Sequence, residues 1–378
     1  MSTYSVDHSD PGRGIGWRVF AIFAGFLIPF VIVIGAWLAV SAHNASNDAR
    51  NAAASAKAAT ASAPAAASES SVPSASYAGI APANADAIAM RHAAFNAALP
   101  AAPAGPVAHV HLSIADRVVS IAPGIRYRSW TFGSTAPGPV IHVRQGQKVV
   151  VTLTNAGMMP HSVDFHAAQV APNADFSDIA PGGSKTFSFV ASVPGAFMYH
   201  CGTAPAFMHI ANGMYGAIIV EPKGMPAAQH QYVLVSSEWY LDSPGTTKPA
   251  GLDLTKAEQM TPDWVTFNGY AAQYKTHPLT AEPGQTVRFW VVDAGPSLNT
   301  EFHVVGTVLK RAWINADLID APQHGIQTAV VPAGGGGVFD VTIPRAGIYP
   351  FVSHSFASVQ LGEVGLLDVG KVAGTMSH

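Results

Sequence analysis

From Val107 onward, short runs rich in Val, Ile, Phe and Thr alternate with Gly and Pro. Runs of this length and composition, separated by turn residues, are typical of the strands of a β-sandwich or barrel. After residue 107 no amphipathic pattern exceeds three helical turns. The pattern therefore predicts an all-β fold for this part of the chain.

The turn residues of this region occur in two similar series. Gly146 and Gly284 are each followed by a glutamine just before a β run, and Gly182 and Gly334 each open a later Gly-containing turn before another run. Turns and strands follow in the same order in both halves, although Gly-rich turns recur in many β proteins. The order predicts two tandem copies of one β-sandwich.

Residues 19–42 carry no formal charge and are mostly apolar. A helix of this length reaches about 36 Å, enough to cross a hydrocarbon core of about 30 Å. We interpret residues 17–42 as an uncleaved transmembrane helix. The small residues at 40–42 leave removal as a signal peptide open, and the flanking charges nearly balance, so they do not set the orientation.

Residues 43–106 consist mainly of Ala, Ser and Pro, with few large side chains to bury. This composition is typical of a disordered spacer. The chain is therefore predicted to begin with a tail (1–16), a transmembrane helix (17–42) and a spacer (43–106). Two sandwich domains follow, over residues 107–225 and 226–372.

Charged residues make up only 11% of the chain, and the net charge is −3. Nucleic acid is therefore not an expected partner, because binding phosphates needs a surplus of basic side chains. The single cysteine, Cys201, excludes a disulfide within the chain and excludes cysteine-rich zinc or iron–sulfur sites. The 16 histidines make imidazole the main candidate metal ligand.

Cys201, His209 and Met214 follow one another within 14 positions, and His161 lies upstream. One thiolate, two imidazoles and a weak thioether are the ligands of a trigonal copper site for electron transfer. This ligand set tolerates both Cu(I) and Cu(II), which favours rapid exchange of one electron. The motif predicts such a site.

A second ligand set interleaves with the first. His200 precedes Cys201, and adjacent side chains of a strand point to opposite faces. His166 lies an odd number of positions after His161, so it can share the outer face with His200. Two imidazoles need a third ligand and leave a position open, as in catalytic metal sites. Asp164 lies between the two histidines and could relay a proton or be a turn residue.

Several motifs together resemble the copper-containing nitrite reductases built from two cupredoxin domains: HSVDFH, YHCGTAPAFMHIANGM, VTFNGYAAQYKTHPLTAEPGQ, EFHVVG and VSHSF. The similarity covers roughly residues 107–370. It implies an all-β fold of two tandem cupredoxin-like Greek-key sandwiches, preceded here by the transmembrane helix and the Ala-rich linker. It also implies one type 1 and one type 2 copper per subunit.

The resemblance also assigns individual residues. It implies that the type 1 copper ligands are His161, Cys201, His209 and Met214. The implied type 2 copper ligands are His166, His200 and, from an adjacent subunit, His354. The implied catalytic residues are Asp164 and His303, and Val305 is the implied aliphatic residue of the substrate pocket.

As an enzyme, such a chain would reduce nitrite to nitric oxide. The resemblance implies a homotrimer, because one ligand comes from a neighbouring subunit, and an electron donor that is either a small cupredoxin or a c-type cytochrome. We expect the catalytic domains on the periplasmic side of the membrane, with the N-terminus inside and the helix as the anchor.

Two other functions stay open at this point. A two-domain multicopper oxidase needs about eight histidines, mostly in His-x-His pairs, whereas His109 and His111 form the one such pair here and Gly202 follows Cys201. A membrane-tethered cupredoxin that only transfers electrons would need the Cys201 site but would leave His166 and His200 without a role.

Overall fold

The computed structural model describes residues 74–372. The predicted tail, the predicted transmembrane helix and residues 43–73 of the predicted spacer lie outside the described residues. Within 74–372, no helix has the length and apolar character needed to cross a membrane.

The first sandwich consists of eight strands: β1 Val107–Ala122, β2 Ile125–Phe132, β3 Ile141–Arg144, β4 Lys148–Asn155, β5 Asp164–Phe165, β6 Ser184–Val190, β7 Gly195–His200 and β8 Tyr215–Glu221. They form two four-stranded sheets, in the orders β2-β1-β4-β6 and β3-β8-β7-β5. The sheets enclose an apolar core that includes Phe165, Tyr199 and Ile218.

The second sandwich consists of ten strands: β9 His230–Trp239, β10 Trp264–Phe267, β11 Leu279–Ala281, β12 Thr286–Asp293, β13 Thr300–Val304, β14 Arg311–Trp313, β15 Ala329–Val331, β16 Gly336–Thr342, β17 Gly347–Ser353 and β18 Val364–Val369. They form two five-stranded sheets, in the orders β10-β9-β12-β16-β14 and β11-β18-β17-β13-β15. Phe289, Phe302 and Phe351 lie in the core between them.

The helices are short and connect strands. They are α1 Ala85–Arg91, α2 Pro172–Asp175, α3 Ala206–Ala211, α4 Leu254–Glu258, α5 Gln273–Thr276, α6 Phe356–Gln360 and a 3₁₀ turn, Ile314–Ala316. The all-β prediction is therefore confirmed for the described residues.

The two sandwiches repeat the same strand pairing. β1 runs parallel to β4 as β9 does to β12, and β3 runs parallel to β8 as β11 does to β18. The antiparallel pairs β4–β6 and β7–β8 correspond to β12–β16 and β17–β18. Gly146, Gly182, Gly284 and Gly334 all have positive φ, and each lies two residues before a strand. The sequence repeat thus reflects a repeated pairing pattern.

An apolar cluster joins the two sandwiches. In this cluster, side chains of β7 and β8 from the first sandwich pack against side chains of β9, β12 and β16 from the second. The first group includes Ala196, Met198 and Tyr215, and the second includes Val233, Trp290 and Val338. β16 begins with Gly336, where a β-carbon would overlap the carbonyl oxygen of Ala196. Glycine at this position therefore allows the second sandwich to lie directly against β7.

Residues 74–106 differ from the disordered spacer that their composition suggests. The Tyr77 N–H donates to the Asp263 carboxylate, and the Leu99 N–H donates to the Gln231 carbonyl. Ala97 lies in the core of the second sandwich, 3% exposed. A few backbone hydrogen bonds and small apolar side chains hold this segment in place, and an Ala-rich composition does not reveal such contacts.

Candidate metal centres

The pairing of β5 with β7 places the predicted ligands. Asp164 lies directly opposite His200, and Phe165 lies opposite Tyr199. Tyr199 and Cys201 point into the core of the first sandwich, whereas Met198 points to the cluster between the sandwiches. The strand alternation therefore separates Cys201 from His200, as the sequence predicts.

Three ligand atoms converge at the first centre. The Cys201 Sγ lies 3.2 Å from the His209 Nδ1 and 3.8 Å from the His161 Nδ1, and the two Nδ1 atoms are 3.1 Å apart. All three residues are buried. Met214 is fully buried in the same core, and its backbone carbonyl accepts the Cys201 N–H.

The surroundings keep the imidazoles neutral. Burial, assisted by the neighbouring His209, lowers the pKa of His161 to about 4. Burial also lowers the pKa of His209. At pH 7 both rings therefore offer a lone pair, and the buried His161 Nε2 has no hydrogen-bond partner in the part of the chain that the structure describes. The Ser162 N–H lies 3.5 Å from the Cys201 Sγ, where it can donate to a thiolate.

These atoms fit a type 1 copper site. A thiol sulfur and two neutral imidazole nitrogens meet in a buried pocket, and this soft and borderline ligand set favours copper. The Trp130 ring packs against both imidazoles, with centroids 5.5 Å from His161 and 4.9 Å from His209. This packing limits the freedom of the ligand rings.

The second centre consists of two imidazoles that face each other. The His166 Nε2 lies 3.0 Å from the His200 Nε2. The other nitrogen of each ring contacts a backbone carbonyl: the His166 Nδ1 lies 3.0 Å from the Gly334 oxygen, and the His200 Nδ1 lies 2.9 Å from the Cys201 oxygen. A carbonyl only accepts, so each Nδ1 carries the hydrogen and each Nε2 carries a lone pair.

This arrangement fits a metal ion. Two lone pairs at 3.0 Å repel each other unless a cation lies between them, and orientation by carbonyl groups is usual for metal-binding histidines. Burial, with His166 nearby, lowers the pKa of His200, which favours the neutral ligand form. Asp164 completes the group, with its Oδ2 4.0 Å from the His200 Nε2.

The remaining predicted residues lie on the second sandwich. His303 lies on β13, and His354 directly follows β17. Their ring centroids are 5.5 Å apart. The His303 Nδ1 donates to the Gln327 carbonyl at 2.5 Å. His354 and Val305 are exposed, and His354 does not join the Asp164–His166–His200 group within one chain.

Sequence reasoning missed the groups that orient the ligands. These groups are the backbone carbonyls of Gly334 and Gln327 and the ring of Trp130. They contact the histidines only because the fold places them there, so their residue types do not reveal this role in the sequence. The turn that contains Gly334 is recognisable as Gly-rich, but its contact with His166 needs both sandwiches to be placed.

Comparison with known proteins agrees with this geometry. A copper-containing nitrite reductase from Neisseria meningitidis serogroup B is 37% identical over 269 residues, which span 69% of this chain and 68% of that protein. The chain belongs to the copper-containing nitrite reductases. Another reductase of this name, from Alcaligenes xylosoxydans xylosoxydans, is 28% identical and matches 72% of this chain and 89% of its own length.

Solved structures support the same family. The copper nitrite reductase from Nitrosomonas europaea aligns with a TM-score of 0.65 and 33% identity, over 72% of this chain and 96% of its own length. A multicopper oxidase structure aligns with a TM-score of 0.62 and 26% identity, over 70% of this chain and 89% of that one. A family profile described as "Multicopper oxidase" matches residues 114–225.

The nitrite reductase assignment is therefore better supported than the multicopper oxidase alternative. As a member of this family, the protein is a copper-dependent oxidoreductase with a cupredoxin-like fold, and it uses one type 1 and one type 2 copper per subunit.

Single substitutions should remove the two copper types separately. We expect Cys201→Ser to eliminate the type 1 EPR signal and its thiolate absorption, because sulfur is the soft ligand, and to retain type 2 copper. His166→Ala should do the reverse. His111→Ala, an exposed histidine on β1, is the control and should retain both types. Loss of both signals in either single-site variant would contradict two independent centres.

Proposed function

We propose that this copper-containing nitrite reductase uses its two centres in series to convert nitrite to nitric oxide. The observation that carries the proposal is the adjacency of Cys201 in the first centre and His200 in the second. The bound copper ions supply one-electron exchange and a Lewis-acidic position for a nitrite oxygen. The reaction consumes one electron and two protons per nitrite and releases nitric oxide and water.

The chain provides a short connection between the centres. His161, Cys201, His209 and Met214 would hold the type 1 ion inside the first sandwich. His200 would help to hold the type 2 ion, and the peptide bond from Cys201 to His200 makes a covalent route for an electron. The hydrogen bond from the His200 Nδ1 to the Cys201 carbonyl fixes the ring on this route.

Asp164 and His303 would supply the protons. The Asp164 carboxylate lies 4.0 Å from the His200 Nε2, too far for a direct hydrogen bond but close enough to contact a small ligand bound there. The Gln327 carbonyl accepts from the His303 Nδ1, which leaves the His303 Nε2 free to exchange a proton. Val305, two residues later, would limit the space for substrate.

A neighbouring subunit would complete the second centre. His303, His354 and Val305 lie on one side of the second sandwich, next to Phe356, which is 53% exposed. His166 is exposed as well, so each chain offers half of a site at its surface. In a homotrimer, a ring of identical contacts would bring His354 to the His166–His200 pair of the next subunit. The two domains would extend over residues 107–225 and 226–372.

The N-terminal segment would tether this trimer to a membrane. Residues 17–42 have the length and apolar character of an anchor, and residues 43–73 would give the catalytic domains reach. The catalytic domains would lie on the periplasmic side, where a small cupredoxin or a c-type cytochrome would donate the electron.

Asp164→Asn should separate proton delivery from copper binding. We expect both copper types to remain, with nitrite turnover reduced about 100-fold or more, because an amide is not a general acid. Nitric oxide production with a reduced dye as donor measures the turnover. Asp175→Asn, on the exposed helix α2, is the control and should retain activity. Unchanged turnover in Asp164→Asn would disprove the proton role.

Mixed trimers test the shared site. Separate His166→Ala and His354→Ala variants should both be inactive. In trimers assembled from equal amounts of both chains, about a quarter of the sites combine an intact pair with an intact His354 from the next subunit. Recovery of that fraction of activity and of type 2 copper is expected. No recovery in trimers verified by light scattering would indicate a site formed within one chain.

Membrane fractionation tests the anchor. The full chain should stay in membranes washed with alkaline carbonate, because an apolar helix of this length inserts stably. A chain with residues 1–42 replaced by a cleavable secretion signal should appear in the soluble periplasmic fraction. Release of the native chain with a mass that lacks these residues would show that the segment is a signal peptide.

A further inference from the structure

Glu363 is a buried carboxyl group that the proposed reaction does not use. It lies between α6 and β18 and is only 1% exposed. Two further buried carboxyl groups, Asp293 and Glu238, lie close enough to repel its charge. Burial is the main cause that raises the pKa of Glu363, to about 7. Within residues 74–372 no cationic side chain is among the groups that act on it, so its charged form depends on hydrogen bonds.

Two hydroxyl groups donate to this carboxylate, and a third lies next to it. The Ser236 Oγ donates to the Glu363 Oε1 at 2.6 Å, and the Thr300 Oγ1 donates to the same oxygen at 2.7 Å. The Ser353 hydroxyl lies beside the same carboxyl group, and the Ser353 backbone N–H donates to the Glu363 backbone carbonyl at 3.4 Å. These residues lie on β9, β13 and β17, so one carboxylate ties together strands from both sheets of the second sandwich.

The same network continues to the backbone of His354. The Ser353 Oγ accepts the Glu301 N–H at 3.0 Å, and the Glu301 carbonyl accepts the His354 N–H at 2.6 Å. Each hydroxyl has a single hydrogen, so Ser353 can donate it to Glu363 and still accept from Glu301. Thr300 begins β13, the strand that carries His303.

We propose that Glu363 is a positioning residue that holds Ser353 and Thr300 and thereby sets the backbone that presents His354 and His303. This inference rests on the proposed function, because it assigns a supporting role to the half-site on the second sandwich. Polar groups behind a metal ligand commonly decide its orientation, and their loss typically lowers metal affinity or activity 10–100-fold.

Two serine variants give a matched test. Ser353 and Ser237 are both 0% exposed and lie on strands of the second sandwich. Ser353→Ala breaks the link from Glu363 towards His354, whereas Ser237→Ala removes a hydroxyl that contacts Thr266 instead. In the copper-loaded trimer, we expect Ser353→Ala to lower type 2 copper affinity about 10-fold in a chelator titration, with type 1 occupancy unchanged. Ser237→Ala should retain both.

Variants of Glu363 distinguish positioning from a general loss of stability. Glu363→Ala should match Ser353→Ala, and Glu363→Gln should recover most of the affinity, because its amide oxygen can still accept hydroxyl hydrogens. Equal type 2 affinity in Ser353→Ala and Ser237→Ala would overturn the inference, even if Glu363→Ala did not fold. A parent protein without type 2 copper or nitrite turnover would instead contradict the proposed function.

Discussion

The short antiparallel pairing of β5 with β7 is the interaction on which the metal centres depend. It sets Asp164 opposite His200 and lets the alternation of β7 send Cys201 inward and His200 outward. A shift of one residue in this register would exchange the two faces. One strand end therefore carries candidate ligands of both centres, and a single peptide bond separates them.

The orientation of the second centre depends on backbone carbonyls. His166 and His200 each contact a carbonyl oxygen through Nδ1, so their Nε2 lone pairs must face each other. One of these carbonyls belongs to Gly334 of the second sandwich. The close contact of β16 with β7 at Gly336 would therefore support the second centre as well as the packing. The second sandwich would contribute to two copper sites. Its Gly334 carbonyl would orient His166 of the same chain, and its His354 would bind the copper of a neighbouring subunit.

The network behind His354 would let the fold support a proposed metal ligand from a distance. Glu363 has no direct hydrogen bond to His354 or His303. It contacts Ser353, the residue before His354, and Thr300, which lies on the same strand as His303. The Ser236 and Thr300 hydroxyl groups donate to it and partly compensate for burial of its charge. Such a carboxylate is more costly than an apolar core residue, which favours a role beyond packing.

The sequence by itself determined the all-β class, the repeated order of turns and strands and the ligand types, because these follow from local composition, spacing and alternation. His161, Cys201 and His209 were predicted together, and the structure brings them together. The tertiary structure alone decided that Gly334 orients His166, that Glu363 connects to Ser353, and that residues 74–106 pack on the second sandwich. These contacts join residues far apart in the chain, so no local pattern specifies them.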